Sequence, residues 1–356
     1  LVLRTLKATG DLYLNSKSSN LTVLVPAYNE ASTIADTLRS LQVQSLPPDE
    51  VIVIDDCSTD NTFEIAKTFG VTVVRPPKNT GTKAGAQNYG LTLVKTTYTM
   101  AIDGDTTLAP DAIAKLMPAV DDPKVCAACG MVLPRFVRSI WERGRYVEYL
   151  FAFSFFKPIQ DYYDRPLISS GCFSVYRTDA LRANKGWQTR TMAEDMDLTW
   201  TFYHNGFSVR FLPEAVCYPV EPHDFNFMSK QLRRWSHGFV QNVRLHWRDV
   251  VHIPMLRSAI AVGLWDAVIA TLAYLILFPL LSIFVSPLFL LWYLIDGPAV
   301  AFPVLIKAAS RNEFRKALFS LPAFFVLRTV NSCFMLEALW SELVLRKTLD
   351  VYEKGH

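Results

Sequence analysis

Residues 99–108 read TMAIDGDTTL, an apolar run followed by two aspartates around a glycine. Asp-Gly is a common tight-turn dipeptide, so Asp103-Gly104-Asp105 reads first as a strand turning back. It also reads as a metal site, because carboxylates one residue apart at a strand end are hard oxygen ligands for a divalent cation held against phosphate groups. Other polar residues follow apolar runs in the same way: Tyr28-Asn29-Glu30 after LTVLVPA, and Asp55-Asp56 after VIVI. Other chemistries find less support. His204, His223, His237, His246 and His252 show no i, i+4 metal pairing, and His223 and His237 read as structural or interfacial. TGTKAG lacks the GxxxxGK[ST] spacing of a phosphate-binding hydrolase loop, and GCFSVYR is not a G-x-S-x-G elbow.

The elements that must position these residues alternate as β-α units, with a period of about 25–30 residues. LTVLVP (21–26), VIVID (51–55), VTVV (71–74) and YTMAID (98–103) read as strands. Residues 31–44 read as a helix with Ile34, Leu38 and Leu41 on one face; residues 60–70 and the segment up to about Val94 supply two more. Continuous apolar strands separated by amphipathic helices predict a mostly parallel sheet covered on both faces. Such sheets bind ligands beyond the carboxyl ends of their strands, where these polar residues fall. That convergence favours the metal reading of DGD. ISSGCFSVYR (168–177) reads as two strands about a glycine turn.

Composition splits the 356-residue chain. Hydrophobic residues make up 51% and charged residues only 19%, with the apolar excess concentrated after residue 258. A net charge of +3 is too small for a nucleic-acid binder. The chain starts at Leu1, as a truncated chain would, and LVLRTLKATG resembles neither a signal peptide nor a spanning helix. Cys126 and Cys129 form a CxxC without a second ligand pair, in a segment that suits a buried strand and a reducing compartment. RYVEYLFAFSFF (145–156) is too short to span a bilayer and reads as core or interface. Residues 226–250 read as a basic amphipathic helix with Trp235, Phe239, Val243 and Trp247 every four residues, suited to a membrane surface. Ala259–Leu281 and Ser282–Ile306 are long enough to span, and basic residues 307–316 mark a cytoplasmic loop. Leu318–Trp340 is a third candidate, but Arg328 requires it to line a polar cavity or lie along the interface.

VPAYNEAS (25–32), DDCSTDNT (55–62), TKAGAQNYG (82–90), DGD (103–105), AEDMDL (193–198) and QLRRW (231–235) occur in this order. Together they resemble the family 2 glycosyltransferases, in particular the processive membrane branch of cellulose, chitin, hyaluronan and poly-N-acetylglucosamine synthases. The resemblance covers residues 20 to about 250. It implies a GT-A, Rossmann-like α/β catalytic domain using Mg²⁺ or Mn²⁺ and a UDP-sugar. On that resemblance Asp105, with Asp103, holds the metal at the diphosphate. Tyr28 and Glu30 line the nucleoside pocket, and Asp56 accepts from uracil or, alternatively, caps the following turn. Lys83 meets donor phosphate or uridine, and Gln231 and Arg234 contact the diphosphate. Asp195 is the general base, with Asp197 serving a helix N-terminus. Gly171, Cys172, Glu194 and Trp235 face the acceptor, Trp235 alternatively anchoring an interface helix.

The resulting expectation is an inverting hexosyltransferase that extends the non-reducing end of a β-linked glycan from UDP-GlcNAc or UDP-glucose. Its partners are donor, glycan acceptor and lipid bilayer, with no nucleic acid; it sits in the plasma membrane with the catalytic domain cytoplasmic. With two or three spans, either a second copy of the chain completes a channel or no channel forms. The expected order is an N-terminal segment (1–19), catalytic domain (20–225), interface helices (226–257), transmembrane region (258–345) and tail (346–356). A non-processive enzyme adding one sugar to a lipid-linked acceptor is the alternative. A non-catalytic scaffold for glycan translocation is disfavoured because Asp105, Asp195 and Gln231–Trp235 are all intact.

Overall fold

A computed structural model describes residues 19–350 except Thr271, so most of segment 1–19 and the end of the tail lie outside the described residues. The chain forms two compact units. One runs up to Arg135 and resumes over Gln160–Val220; the other comprises Phe136–Ile159 and the chain from Glu221 onward.

The first unit is built on strands β1 (Leu21–Ala27), β2 (Glu50–Asp55), β3 (Thr72–Val74), β4 (Tyr98–Ile102), β5 (Thr107–Leu108), β6 (Val125–Val132), β7 (Phe173–Arg177) and β8 (Ser208–Tyr218). They form one sheet in the order β3-β2-β1-β4-β7-β6-β8-β5. The first four are parallel, as the β-α alternation predicts. The far half is mixed: β7 is antiparallel to both β4 and β6, β5 is antiparallel to β8, and β6 is parallel to β8. Only Phe173–Arg177 of the expected strand pair over 168–177 is strand. Upstream, Ser169 N–H donates to the Thr199 hydroxyl and Gly171 N–H to the Asp195 carboxylate, so these donors never enter a ladder.

The reversal of β7 positions the site. Ile102 at the end of β4 pairs with Phe173 at the start of β7, so the residues after one and before the other share an edge. Ala27 lies level with Asp55 on the same edge. Behind it Val23, Val25, Ile52, Ile54, Met100 and Ile102 are buried, each side chain stabilising the sheet by about 1.5–3 kcal/mol. Ile34, Leu38 and Leu41 are buried on helix Ile34–Gln42, as their spacing predicts. Cys126 and Cys129 are free buried thiols three residues apart on β6, on opposite faces of the strand, so they cannot chelate together.

In the second unit, helix Ile140–Phe151 begins with a capping box. The Ser139 hydroxyl accepts from Glu142 N–H, and the Glu142 carboxylate accepts from Ser139 N–H. Sequence boundaries place this helix in the catalytic domain; it belongs instead with the C-terminal helices. The reason is a backbone-close crossing at Gly144, where a Cβ would meet the Ala323 carbonyl oxygen at 2.8 Å and Leu327 Cβ at 2.9 Å. Helix Phe225–Leu245 is capped by the Asp224 carboxylate, which accepts from Phe227 N–H. It buries Met228 and Leu232 against Leu327, whereas Trp235 and Trp247 of the aromatic stripe stay exposed.

Among the described residues, three helical stretches are long and apolar enough to cross a membrane: Pro254–Phe284, Pro287–Ser310 and Phe314–Val344. The first two turn back on each other, with Phe278 stacked on Trp292 and the Tyr293 hydroxyl donating to the Tyr274 carbonyl. The third is held along its length. Glu313 accepts from the Tyr146 hydroxyl near its start, while Glu337 and Glu342 near its end pair with Arg233, His237 and Arg244. Arg328, the mid-segment charge that sequence marked as costly, is ion-paired to Asp266 of the first stretch.

Candidate active site

DGD is a turn: Thr106 N–H donates to the Asp103 carbonyl, and the Thr37 hydroxyl donates to the Gly104 carbonyl. The turn presents both carboxylates at the edge of the sheet. The Asp103 carboxylate is ion-paired with Lys83. Lys83 opens helix Lys83–Leu91, whose N-cap Thr82 accepts from Gly85 N–H. The same ammonium donates to the Gly171 carbonyl at 3.0 Å, and Gly171 N–H donates to Asp195 Oδ2 at 2.8 Å. One continuous polar chain therefore runs Asp103–Lys83–Gly171–Asp195. No side chain fits at 171: a Cβ would stand 2.8 Å from Asp195 Oδ2 and 3.3 Å from Lys83 Nζ.

Asp195 lies in the first turn of helix Glu194–His204, and its second oxygen accepts from Met196 N–H at 2.9 Å. Burial pushes its pKa above the usual carboxylate value, and the Asp103 charge adds to that rise. Lys83 and the two N–H donors oppose the shift without cancelling it. A raised pKa makes the ionised form of this carboxylate a better proton acceptor. Its neighbour differs: Asp197 is buried and gripped bidentately by Arg190 at 2.7 and 2.8 Å. Asp197 thus stands in the acidic first turn of the helix and is also committed to an ion pair with a loop arginine. Glu194 is half-buried beside the base, and Cys172 is a half-buried free thiol next to Gly171.

At the other strand ends, Asp56 is buried, with one oxygen accepting from Thr80 N–H and the other from the Thr80 hydroxyl, both at 2.8 Å. This ties the end of β2 to the loop that delivers Lys83, a wider role than capping its own turn. Glu30 is buried and accepts from the Thr33 hydroxyl at 2.7 Å. Tyr28 is half-buried at the end of β1. The loops after β1 and β2 are laced by Asn29, whose N–H donates to the Ser58 hydroxyl and whose Oδ1 accepts from Thr59 N–H.

A divalent ion fits the DGD turn by the chemistry of its donors. Two carboxylates are hard oxygen ligands, and such ions are commonly held by one or two carboxylates with the rest of the shell from phosphate and water. Among the described residues no group of three or more His, Cys, Asp or Glu forms a closed cage. Asp103 Oδ1 is buried and makes no hydrogen bond beyond its Lys83 ion pair.

In the second unit, Gln231, Arg234 and Trp235 lie on helix Phe225–Leu245. Gln231 Oε1 accepts from Arg145 Nη2 at 2.6 Å. The Arg145 guanidinium lies 4.6 Å from the Trp235 ring centroid and pairs with Glu148 at 2.5 Å and Glu221 at 3.4 Å. Tyr149 donates to Glu221 at 2.9 Å. Burial raises the Glu221 pKa, with Arg145 and Tyr149 pulling the other way. Arg145, Glu148 and Glu221 escaped sequence reasoning; the available signal was two charges at helical i, i+3 spacing inside the aromatic segment 145–156.

Residues 22–184 match the family described as Glycosyl transferase family 2, and the fold is of the GT-A kind. A 223-residue stretch, 61% of the chain, is 29% identical to the poly-β-1,6-N-acetyl-D-glucosamine synthase of Staphylococcus epidermidis and equally to that of Staphylococcus aureus strain COL, covering 54% of each. The chain thus spans about half the length of the curated relatives it matches. Among solved structures, a Pyrobaculum calidifontis mannosyltransferase in complex with GDP-mannose and Mn²⁺ is similar in fold, with a TM-score of 0.61 at 20% identity over 96% of this chain and 94% of that one.

Proposed function

We propose that this chain is a membrane-bound inverting glycosyltransferase that moves N-acetylglucosamine from UDP-GlcNAc to the non-reducing end of a β-linked glycan, adding residues processively. The observation that carries the reading is the chain Asp103–Lys83–Gly171–Asp195, which joins a metal-type carboxylate turn to a carboxylate of raised basicity. The relatives named as poly-β-1,6-N-acetyl-D-glucosamine synthases support N-acetylglucosamine over glucose and a polymer over a single addition.

Asp105 and Asp103 hold Mg²⁺ or Mn²⁺, which when bound neutralises the charge on the leaving UDP. Lys83, already poised between Asp103 and the Gly171 carbonyl, adds a second positive charge at the diphosphate. Tyr28 and Asp56 face the nucleoside, the carboxylate of Asp56 retaining acceptor capacity beyond its two Thr80 bonds. Asp195 takes the proton from the acceptor hydroxyl as that oxygen attacks the anomeric carbon. A single displacement with one base inverts the configuration, so an α-linked donor gives a β-linked product. Gln231 and Arg234 are assigned to the diphosphate and Trp235 to the acceptor sugar, Arg being suited to planar recognition of phosphate.

The apolar hairpin Pro254–Phe284 and Pro287–Ser310 crosses the membrane twice and returns to the side from which it left. Lys307, Arg311, Arg315 and Lys316 after it mark that side as cytoplasmic. Phe314–Val344, paired with charged side chains at both ends, lies along the interface. The test is UDP release in lipid nanodiscs with each UDP-sugar, with and without chelator, sizing any glycan. Metal-dependent release from UDP-GlcNAc with a long product is expected. A product of one sugar on a lipid would replace processive synthesis by the single-addition reading, and turnover of another UDP-sugar alone would reassign the donor.

A further inference from the structure

Arg145 is a side chain whose burial needs a reason. It sits in the middle of helix Ile140–Phe151 with no more than about a hundredth of its surface exposed, and a buried arginine is costly unless every N–H is matched. Here its Nη donors go to Glu148, Gln231 and the Met228 sulfur, its Nε faces Glu221 at 3.4 Å as an ion pair without a hydrogen bond, and its guanidinium carbon lies over the Trp235 ring. Two of its contacts are members of the QLRRW set, one through the amide of Gln231 and one through the indole of Trp235. The carboxylates are themselves fixed: Glu221 accepts from the Tyr149 hydroxyl at 2.9 Å, and Tyr149 lies on the same helix as Arg145. Trp235 keeps 37% of its surface exposed with Arg145 over its ring.

We propose that Arg145 is a positioning residue for acceptor binding: it fixes the Trp235 ring plane and the Gln231 amide so that Trp235 offers a preset stacking face to the acceptor sugar. The inference rests on the proposed glycosyltransferase reading and adds a residue to it. A guanidinium can bond in its plane and stack across it at once, which an ammonium cannot, so lysine is not an equivalent replacement. Arg145 acts through Trp235. Its removal therefore raises the acceptor requirement far more than the donor requirement, because the Gln231 side chain keeps its hydrogen bond to Glu221 whereas the Trp235 ring loses the cation over its face. A merely structural role would weaken both together.

The experiment compares wild type, R145M, R145K, W235L and R145M/W235L in lipid nanodiscs. Donor affinity is read by titrating UDP-GlcNAc, and the acceptor KM from glycan incorporation onto an N-acetylglucosamine oligosaccharide. R145M is expected to raise the acceptor KM at least tenfold with donor affinity changed less than threefold, and R145K to recover less than half of the loss. In the W235L background, R145M is expected to add less than twofold, since its effect is routed through the indole. Hydrogen exchange gives a readout independent of turnover: peptides covering 228–238 should lose protection in R145M while those of the β1–β4 sheet do not. An unchanged acceptor KM with unchanged exchange would overturn the proposal, as would equal loss of donor and acceptor binding or additive losses in the double variant. A wild type that turns over no UDP-sugar defeats the glycosyltransferase reading instead, and the exchange result then still decides whether Arg145 holds the Trp235 segment.

Discussion

The two units build polar machinery in opposite ways. In the first, each functional side chain stands on a strand end or a helix start, and the links between them are largely backbone: a turn at DGD, the Gly171 carbonyl and N–H, the amide of Met196. In the second, helices present side chains to one another, and the centre is a buried cation, Arg145, surrounded by Glu148, Glu221, Gln231 and Trp235. Backbone links set positions to a fraction of an ångström and tolerate no added atom. Side-chain links form a network whose members compensate partly for one another. On the proposed reading, the first arrangement suits the step where atoms react, the second a surface that grips and releases a glycan.

The contrast can be broken most forcefully at the metal turn. Stripping divalent ions with chelator, or making D105N, should lower UDP release by roughly 10²–10⁴-fold, because leaving-group charge is then unneutralised. Restoration by Mn²⁺ in wild type but only weakly in D105N checks the assignment. Next comes G171A. Its Cβ must displace the Asp195 carboxylate or the Lys83 ammonium, and a misplacement near 1 Å costs roughly 10²-fold in rate. Thermal unfolding of this variant should move little, since the methyl group strains the site and leaves the core alone.

A subtler test uses pH. Asp195 works as a base only when ionised, and its pKa is raised by burial and by Asp103. Activity should therefore be full above that raised value and fall as pH drops through it, with the acid limb of kcat/KM above the ordinary aspartate position. Lys83 holds this pKa down, so K83M should move the acid limb to higher pH in addition to lowering the rate. The smallest effect belongs to the second unit. G144A pushes a methyl against the Ala323 carbonyl and Leu327 and should destabilise that helix pair by about 1–3 kcal/mol, seen as a lower melting temperature with donor affinity intact.

The same contrast explains what could be read from the sequence. The parallel half of the sheet and its strand-end acids follow from local pattern: four apolar runs separated by helix periods, three of them leading into Tyr28, Asp55 or Asp103. The antiparallel turn of β7 left no such trace. Residues 168–172 carry strand-like apolar character, but their N–H groups are taken by Thr199 and Asp195, some 25–30 residues downstream. Asp197 is the helix-start acid that its position suggests, but its partner Arg190 could not be read because it lies in a loop with no regular spacing. QLRRW was visible as a motif, yet its support comes from Arg145, 86 residues before Gln231, and from Glu221 in the segment just before the helix, neither at a spacing that marks a pair. Arg328 read as an isolated cost until Asp266, 62 residues away, supplied its counter-charge.

The central claim is that the donor turn and the base are one catalytic centre with separable roles. It is tested most directly by measuring UDP-GlcNAc binding and UDP release side by side in wild type and D195N in nanodiscs with Mn²⁺. Donor affinity within threefold of wild type, with release lowered by about 10²–10⁴-fold, is the predicted result for removal of a general base. Wild-type release in D195N, or loss of donor binding matching the loss of release, would contradict it.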